Sequence, residues 1–408
     1  MIQQINPKIK NILIISAVFP PEPIVSALLS RDIAEELAKN NNVVVICPQP
    51  SRPENFIFEN DKIYKNNYNV IRLNSYKCPS FNIIGRMRES FSFGLHSIKY
   101  SKKNFKQIDC IYVNSWPLLS QYLIVKTAKK FNIPCVMHVQ DIYPESLLNK
   151  IPIGKSLVSK LLLPVDRYTL KNSSSIIVIS ENMKRILVNT RKLFFEKVTV
   201  IPNWQNEEKF ISFNTLKNKD VFDLTDSLTF MYLGNNGPLA GVETLINSFF
   251  KASIPNSKLI IAGSGSKKKV CIDLVNKLAA NNIEFISVPE NMVPFVQDKA
   301  DVLLLPVKKN GAMSSIPSKL PAYMFSAKTI LGSLDLESDT AKAIKDSGCG
   351  IVVEPENEIE LINAMIEVSK WSKSIRVEKG TAGFNYAILN FSKESNLNKV
   401  ISVIQELV

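Results

Sequence analysis

Short apolar runs alternate with amphipathic helical patterns along the whole chain of 408 residues, and this alternation starts twice. In the first half, strand-like runs at Asn11–Ala17 and Val43–Cys47 flank the helical pattern Ser26–Lys39. In the second half the order starts again at Leu228–Leu233, followed by a glycine-rich turn and the helical pattern Val242–Phe250. Repeated strand–helix–strand units are typical of parallel sheets with helices on both faces. The pattern predicts an α/β protein with two doubly wound, Rossmann-like domains.

Further strand-like runs recur at similar intervals in both halves. They are predicted at Val70–Leu73, Cys110–Val113, Pro134–Val139, Ser175–Ile179, Lys197–Ile201, Lys258–Ala262, Ile283–Phe285, Val302–Leu305, Thr329–Leu331 and Gly350–Val353. Further helical patterns are predicted at Leu118–Lys130, Lys155–Lys171 and Ser392–Val408.

The polar stretch after Ile201-Pro202-Asn203-Trp204 predicts a hinge between the two halves. We expect a first domain at 1–200, a linker at 201–227, a second domain at 228–385 and a C-terminal helix at 386–408. The C-terminal helix is expected to pack back on the first domain. Two such domains facing a cleft would hold a ligand outside the carboxyl ends of their strands.

Several classes of protein are disfavoured by composition and spacing. The apolar run Ile12–Phe19 is far shorter than the ~18–20 residues of a membrane span, and no small-residue cleavage site follows it. The six cysteines form no C-x-x-C pair, and the two histidines are His96 and His138, so no zinc site or disulfide framework is expected. We therefore expect a reducing, cytoplasmic compartment and no metal.

The net charge of +13 is confined to one half of the chain. Residues 1–200 carry 28 Lys and Arg against 14 Asp and Glu, whereas residues 201–408 carry 22 against 23. Within the basic half, Ile84, Met87, Phe91, Leu95 and Ile98 recur at helical spacing. This Ile84–Ile98 stripe is interleaved with Arg86, Arg88, Lys99, Lys102 and Lys103.

Two interpretations of this basic amphipathic helix stay open. It could lie on an anionic membrane surface, or it could face the core with a solvated basic rim. The two are compatible if only part of the stripe is exposed. Nucleic acid is the less favoured partner, because none of the usual helix-turn-helix, zinc-finger or RNA-recognition signatures is present.

Three strand ends carry residue types suited to a phosphorylated sugar. The turn Gly234-Asn235-Asn236-Gly237 lies between a strand and a helix, where backbone N–H groups and the helix dipole bind diphosphate. Pro317-Ser318-Lys319 opens a second helix with a hydroxyl and a cation. His138-Val139-Gln140-Asp141 ends a strand, and Glu145 follows at a helix start. His138 could instead be a buried core histidine, and Glu145 an ordinary acid of a first helical turn.

The common alternatives among α/β motifs do not fit. The Walker pattern G-x-x-x-x-G-K-S/T and the hydrolase pattern G-x-S-x-G are absent. Gly263-Ser264-Gly265 follows a strand but has Lys268 where a dinucleotide-binding motif needs its third glycine.

Seven short motifs, in the same order, resemble the retaining family-4 glycosyltransferases of GT-B fold along essentially the whole chain. They are Phe19-Pro20-Pro21-Glu22, Asp141-Ile142-Tyr143-Pro144-Glu145-Ser146, Val200-Ile201-Pro202-Asn203, Leu233–Leu245, Ile260–Gly265, Ala300–Pro306 and Pro317-Ser318-Lys319-Leu320-Pro321-Ala322-Tyr323-Met324. The chain is similar to the bacterial O-antigen and capsule branch that includes L-fucosaminyltransferases.

The resemblance implies a nucleotide-sugar donor in the second domain and an acceptor in the first. It implies catalytic roles for Asp141, His138 and Glu145. The donor-binding residues that it implies, together with the strand ends above, are Gly234, Asn235, Asn236, Gly237, Gly263, Ser264, Gly265, Val288, Met292, Ser318, Lys319 and Tyr323. Neither a metal nor another cofactor is expected.

The chain departs from the family pattern at four positions of the second domain, and the family's N-terminal double glycine is also lost, with Val25 and Ser26 near that place. The family's paired glutamates fall at Ser314 and Ala322, and its arginine and lysine of the first turn fall at Asn235 and Ala240. Ser318, Lys319 and the backbone of the Gly234–Gly237 turn are the expected replacements.

The favoured function is transfer of a sugar, from a UDP-sugar by expectation, to a polyprenyl-diphosphate-linked glycan at the inner face of the cytoplasmic membrane. The donor sugar is expected to be an N-acetylated amino sugar or a deoxy sugar. Two alternatives remain: a nucleotide-sugar epimerase of the same fold, and an inactive donor-binding partner of a polysaccharide assembly complex.

Overall fold

The computed structural model describes residues 9–52, 58, 67–78, 83–114, 117–148, 154–216, 227–289, 292–313 and 316–408. The chain divides into two units. The first comprises Met1–Ile201 with Leu397–Val408, and the second comprises Pro202–Asn396.

Parallel strands form the centre of the first unit. They are β1 (Asn11–Ile15), β2 (Asn42–Pro48), β3 (Asn69–Leu73), β4 (Cys110–Asn114), β5 (Cys135–Val139), β6 (Ser175–Val178) and β7 (Val198–Val200). Within the described residues the order is β3-β2-β1-β4-β5-β6-β7, all parallel. The central strands β1, β4 and β5 are buried along almost their whole length, which explains their continuous apolar sequence.

Helices of the first unit connect these strands. They are α1 (Val25–Leu37), α2 (Ile83–Asn104), α3 (Leu118–Lys130), α4 (Glu145–Leu148), α5 (Lys155–Asn172) and α6 (Glu181–Arg191), with short 3-10 helices at Phe105–Gln107 and Phe195–Lys197. The residues between β1 and α1, at the start of α2 and after β5 all follow carboxyl ends of strands, so they lie at one edge of the sheet.

The second unit repeats this architecture with a smaller sheet. Its strands are β8 (Leu228–Leu233), β9 (Ser257–Ala262), β10 (Ile283–Ile286), β11 (Val302–Pro306), β12 (Thr329–Ser333) and β13 (Gly350–Val353). The order of these described strands is β10-β9-β8-β11-β12-β13, again all parallel. The order reverses between β8 and β11, the position where doubly wound sheets bind ligands.

Eight helices of the described second unit complete it. They are α7 (Glu208–Leu216), α8 (Val242–Ala252), α9 (Lys268–Leu278), α10 (Val293–Asp298), α11 (Lys319–Phe325), α12 (Asp339–Ser347), α13 (Glu358–Ser369) and α14 (Lys373–Phe391). Each face of the sheet has its own apolar core: Phe230 and Tyr232 pack on one side, and Met231 between them packs on the other. The two predicted Rossmann-like domains are thus confirmed.

The division of the chain differs from the predicted boundaries at two places. Residues 202–216, which were expected in a linker, belong to the second unit and include α7. The C-terminal segment holds the end of α14 and a separate helix α15 (Lys393–Gln405), and the boundary between the units falls inside α15. The last residues belong to the first unit, where the Lys10 ammonium donates to the Val408 carbonyl at 2.6 Å.

Helix α2 exposes only part of its apolar stripe. Ile84, Phe91 and Leu95 are 80%, 47% and 42% exposed, whereas Ile98 packs on the core. The helix contacts α3 through a different face of small residues. A Cβ at Gly94 would lie 2.8 Å from the Ser120 Cα, so glycine permits the close approach. Among the described residues, no helix is both long and apolar enough to span a membrane.

Candidate active site

Two tyrosines hold the end of β8 from opposite faces of the second sheet. The fully buried Tyr323 accepts a hydrogen bond from the Leu233 N–H at 2.8 Å and donates to the Leu233 carbonyl at 3.0 Å. The Tyr232 hydroxyl donates to the Asn235 carbonyl at 2.7 Å. These bonds fix the path of the chain from Leu233 into the turn at Gly234.

Lys319, at the start of α11, reaches the same point. Its ammonium donates to the Tyr232 hydroxyl at 2.7 Å and lies 4.5 Å from the centre of the Tyr232 ring. Burial lowers the pKa of Lys319 to about 8. Because the charge is partly desolvated and already oriented, it would interact strongly with an anion placed at this strand end.

Glycines allow the loops after β8 and β9 to touch. A Cβ at Gly234 would lie 2.1 Å from the Lys319 Cε, and a Cβ at Gly263 would lie 2.3 Å from the Gly234 carbonyl oxygen. Gly263 also has a φ of +123°, which side-chain-bearing residues rarely adopt. A Cβ at Gly265 would lie 2.6 Å from the Asn236 backbone. The two loops therefore pack as one backbone surface.

Asn236 joins these loops and is itself fully buried. Its backbone N–H donates to the Ser264 carbonyl at 2.8 Å, and its own carbonyl accepts from the Lys267 N–H at 2.9 Å. The side-chain amide has no hydrogen-bond partner among the described residues. A buried amide without a protein partner is costly, so this amide is available to hydrogen-bond a polar group of a ligand.

The other donor-side residues lie around this surface with different exposure. Asn235, Ser318 and Met292 are exposed, and Gly237 and Val288 are half-buried. Of the departures from the family pattern, Ala240 and Ala322 are buried in apolar cores. Ser314 lies outside the described residues. Lys319 is one helical turn before Ala322 and supplies the cation of this region.

His138 is fully buried in β5 of the first unit. Its Nδ1 lies 2.6 Å from the Tyr112 hydroxyl, and burial lowers the pKa of the imidazole to about 4. The ring is thus neutral at physiological pH. This position fits the buried core histidine left open by the sequence, and the catalytic role assigned to His138 stays a prediction.

Glu145, at the start of α4, is bound by a buried guanidinium. Arg191 Nη1 and Nη2 donate to its two carboxylate oxygens at 2.5 and 2.6 Å. Burial would raise the pKa of Glu145, but the hydrogen bonds and charge of Arg191 outweigh it and hold the pKa below its usual value. The Glu145 carboxylate is therefore ionised and paired with Arg191 in this structure. Asp141, four residues earlier at the end of β5, is exposed.

An arginine cluster, defined here as Arg52, Arg86 and Arg88, lies at the same edge of the first sheet. Arg52 Nη2 and Arg86 Nη1 donate to one oxygen of Glu89 at 3.0 and 2.8 Å. The Arg88 guanidinium lies 4.3 Å from the centre of the Tyr76 ring. The cluster concentrates positive charge at the start of α2.

Glu22 braces the loops beside this cluster. Its buried carboxylate accepts backbone N–H bonds from Phe19 at 3.1 Å and from Ser51 and Arg52 at 3.0 Å each. Burial raises the pKa of Glu22 even though these donors oppose the shift. The glutamate of the Phe19–Glu22 motif thus ties the loop after β1 to the loop after β2.

Three residues that shape these surfaces were missed by sequence reasoning: Tyr232, Arg52 and Arg191. Glu22 was expected as part of the Phe19–Glu22 motif, but its contacts to the loop after β2 were not. Tyr232 could have been found from the sequence. It is one residue before the end of a buried strand, so its hydroxyl can reach the carboxyl-end edge of the sheet, where ligands bind. Arg191 had no such signal, since all its partners except the adjacent Thr190 are 25 to 48 residues away along the chain.

Two family profiles match the chain in succession. Residues 29–209 match Glycosyltransferase Family 4, and residues 227–370 match Glycosyl transferases group 1. The chain carries the two domains of a glycosyltransferase. The two matched segments largely coincide with the two units of the chain.

Two curated relatives match parts of the chain. It is 28% identical over 214 residues to the uncharacterized glycosyltransferase MJ1059 of Methanocaldococcus jannaschii, a match covering 45% of this chain and 53% of the relative. The chain thus spans about half the length of that relative. It is 23% identical over 295 residues to the Pseudomonas aeruginosa protein named "Probable glycosyltransferase WbjE", covering 67% of this chain and 68% of the relative.

Solved structures that are similar to the chain establish its fold. Sucrose-phosphate synthase from Thermosynechococcus elongatus has a TM-score of 0.71 at 15% identity, covering 98% of this chain and 99% of its own. WaaG, a glycosyltransferase involved in lipopolysaccharide biosynthesis, has a TM-score of 0.66 at 16% identity, covering 96% and 99%. Anabaena HepE, in complex with UDP and glucose, has a TM-score of 0.67 at 14% identity, covering 97% and 99%. The predicted GT-B fold is confirmed.

Metal-ligand side chains do not cluster in the described part of the chain. No group of three or more His, Cys, Asp or Glu there is arranged to hold a metal ion.

Proposed function

We propose that the chain transfers a sugar from a nucleotide-sugar donor to a polyprenyl-diphosphate-linked glycan in bacterial surface-polysaccharide synthesis. The observation that carries the proposal is the surface at the end of β8. There the Lys319 ammonium lies beside a backbone turn, and the glycines let the lysine side chain and the two loops approach one another closely. A diphosphate needs a cation and backbone N–H groups at one point, and this strand end supplies both.

The donor is held by the second unit in this proposal. Lys319 contacts the diphosphate, and the Asn235 and Gly237 N–H groups and the first turn of α8 donate to it. The Gly234 and Asn236 N–H groups instead donate to the Ala262 and Ser264 carbonyls and hold the turn in place. The buried amide of Asn236 gains a partner from a polar group of the bound donor or from an ordered water. Val288 and Met292 lie beside the base.

We take UDP as the nucleotide because HepE, of the same fold, is known in complex with UDP and glucose. The likeness to WaaG, a glycosyltransferase of lipopolysaccharide biosynthesis, supports surface polysaccharide as the product. An N-acetylated amino sugar or a deoxy sugar is the expected group to be transferred, from the resemblance to L-fucosaminyltransferases.

The acceptor is held by the first unit. The arginine cluster beside Glu89 presents guanidinium groups that suit the acceptor's own diphosphate. Asp141, exposed at the end of β5, accepts a hydrogen bond from the attacking hydroxyl and orients it. Burial lowers the pKa of Arg52, and the Glu89 carboxylate opposes that shift. A phosphate group would add to this stabilisation of the charged form.

The reaction proceeds with retention of the anomeric configuration. The bond from the anomeric carbon to the donor phosphate oxygen breaks, and the bond to the acceptor oxygen forms on the same face of the sugar. The proton of the acceptor hydroxyl passes to the leaving diphosphate, so the products are the glycoside and UDP. Lys319 stabilises the negative charge that develops on the leaving group, which is electrostatic catalysis by a positioned donor.

The exposed part of α2 brings the chain to the membrane that holds the lipid. Ile84, Phe91 and Leu95 would enter the interface, and the basic residues Lys99 and Lys102 on the same outward side would meet anionic headgroups. Each such cation contributes about 1 kcal/mol near an anionic surface. Arg86 donates to Glu89, and the Arg88 guanidinium lies over the Tyr76 ring. We therefore assign these two arginines to the acceptor diphosphate, and the lysines further along α2 to the membrane surface.

The test is a transfer assay with a panel of UDP-sugars and a short polyprenyl-diphosphate-linked saccharide, read by mass spectrometry. We expect one added sugar and release of UDP, also in the presence of EDTA, because metal independence is part of the proposal. The matched control is Lys319→Ala, which should release far less UDP. Nuclear magnetic resonance of the product should show the donor's own anomeric configuration.

Two outcomes would favour the alternatives. An epimerised UDP-sugar formed from donor alone, without acceptor, would indicate a nucleotide-sugar epimerase. Binding of the donor without turnover on any lipid-linked acceptor would indicate a non-catalytic partner of an assembly complex.

A further inference from the structure

Arg191, the last residue of α6, is a fully buried arginine with a complete set of hydrogen bonds. Its Nε donates to Asp166 at 2.7 Å, and its two terminal nitrogens donate to the carboxylate of Glu145. The remaining N–H groups donate to the Thr190 hydroxyl at 2.8 Å and to the Tyr143 carbonyl. A guanidinium has five N–H donors, and here all five have acceptors.

These bonds tie the loop after β5 to two helices. Asp166 lies on α5, Arg191 ends α6, and Tyr143 and Glu145 belong to the segment that begins at Asp141. Burial raises the pKa of Asp166 to about 6, although the neighbouring Arg191 charge opposes that shift. Burying the Arg191 cation with the Asp166 carboxylate costs much desolvation and adds little stability compared with an apolar cluster, and the Glu145 carboxylate completes the ion pair from a position that is 43% exposed. Such a group is therefore best explained by the geometry that it imposes.

We propose that Arg191 is a positioning residue that holds the 141–148 loop so that Asp141 meets the acceptor hydroxyl. The inference rests on the proposed function, since it gives the loop an acceptor to meet. It assigns Glu145 to the anchor of the loop, in place of the catalytic role expected from the sequence. A planar guanidinium suits this task because three of its acceptors, two on Glu145 and one on Tyr143, lie in the loop itself.

The first test measures the loop without using activity. Arg191→Lys keeps the charge but offers three donors in place of five. Hydrogen–deuterium exchange should then be roughly tenfold faster in the loop, at the Ser146 and Leu147 amides that now bond Ile142 and Pro144. Arg185→Lys, on the same helix, is the matched control and should exchange like the wild type. Unchanged exchange at these amides in Arg191→Lys overturns the inference, whether or not the protein transfers sugar.

The second test separates positioning from general stability. Arg191→Lys should lower kcat roughly 10- to 100-fold with acceptor, while the Kd for UDP and the release of UDP by hydrolysis stay at wild-type values. Faster exchange with an unchanged kcat would overturn the inference. Wild-type protein that transfers no sugar, while the variant still loosens the loop, would instead refute the proposed function and leave the anchor intact.

A second variant covers the case in which Arg191→Lys does not fold. Glu145→Gln removes one charge of the anchor from the loop side and leaves the Arg191–Asp166 pair at 2.7 Å. It should show the same separation of kcat from UDP affinity, with a smaller effect. Equal kcat in Glu145→Gln and wild type, together with unchanged exchange, would overturn the inference as well.

Discussion

The Lys319 side chain is already oriented and partly desolvated before an anion binds. The Tyr232 hydroxyl and the Tyr232 ring face hold the ammonium in place, and burial lowers its pKa to about 8. Both effects make the residue a stronger partner for diphosphate than an exposed lysine, because less water must be displaced.

Replacing Lys319 with alanine should weaken donor binding. A charged hydrogen bond of this kind contributes about 1.5–3 kcal/mol, or roughly 10- to 150-fold in Kd. Isothermal titration with UDP measures the change directly. The matched control is Lys345→Ala, an exposed lysine on α12. Equal affinity in Lys319→Ala and wild type would remove Lys319 from the donor site.

The lowered pKa also predicts a pH dependence of donor binding. Below pH 8 the Lys319 ammonium is charged, and its charge is lost as the pH rises through about 8. The affinity for UDP should therefore fall roughly five- to tenfold between pH 7 and pH 9. The guanidinium in Lys319→Arg stays charged over this range, so the UDP affinity of this variant should change little between pH 7 and pH 9. A wild-type affinity that is flat across the range would contradict this account.

Asp141 should affect turnover much more than donor affinity. Asp141→Asn keeps the size of the side chain and removes its charge, so the attacking hydroxyl has a neutral amide oxygen as its acceptor in place of a carboxylate. We expect kcat to fall roughly 100-fold or more, with the Kd for UDP unchanged. Single-turnover measurements with the lipid-linked acceptor check this. Wild-type turnover would exclude Asp141 from the site.

At the scale of single residues, the sequence was informative where a motif sits at a strand end. Lys319, Gly234 and Gly263 were expected there, and the structure brings them together. Tyr232 and Arg191 were not expected, because their contacts depend on packing between distant segments rather than on a local pattern. His138 shows the same limit, since its burial beside Tyr112 follows from the sheet register.

At the scale of secondary structure, the close contact between Gly234 after β8 and Gly263 after β9 can be tested by adding one methyl group at Gly263. Gly263→Ala places a Cβ 2.3 Å from the Gly234 carbonyl oxygen at a φ of +123°. It should lower the free energy of unfolding by more than about 1 kcal/mol and weaken UDP binding. Thermal denaturation with and without UDP measures both effects.

Gly237→Ala is the matched control within the same turn. Its Cβ would meet only the Asn235 side chain, at 3.7 Å, so stability should change by less than about 0.5 kcal/mol. Equal destabilisation by the two substitutions would show that the contact between the loops does not matter.

The strands were predicted to within two residues of their ends, because buried parallel strands are continuously apolar. Helix α7 was missed for the opposite reason, since the stretch after Trp204 is mostly polar and lies where a linker was expected. The stripe on α2 was predicted correctly as a helical face. Its partial exposure was one of the possibilities left open. The sequence could not decide it, because the buried contact uses small residues such as Gly94 that an apolar pattern does not reveal.

At the scale of the whole molecule, positive charge and exposed apolar surface fall in the same half of the chain. Phe91→Asp should therefore reduce binding to anionic vesicles roughly tenfold or more, since an interfacial phenylalanine contributes about 1.5–3 kcal/mol. Flotation with phosphatidylglycerol vesicles measures this. Leu389→Asp, exposed on α14 of the second unit, is the matched control and should float like the wild type. Equal flotation of wild type, Phe91→Asp and Leu389→Asp would show that α2 does not bind the membrane.

The central claim is that the second unit binds a nucleoside diphosphate sugar at the end of β8. The most direct measurement is a calorimetric titration of wild-type protein and Lys319→Ala with UDP, GDP, dTDP and a UDP-sugar. The account predicts specific binding of UDP and the UDP-sugar by the wild type, weakened by the substitution. Folded wild-type protein that binds none of these nucleotides, or that binds them equally well with Lys319→Ala, would contradict it.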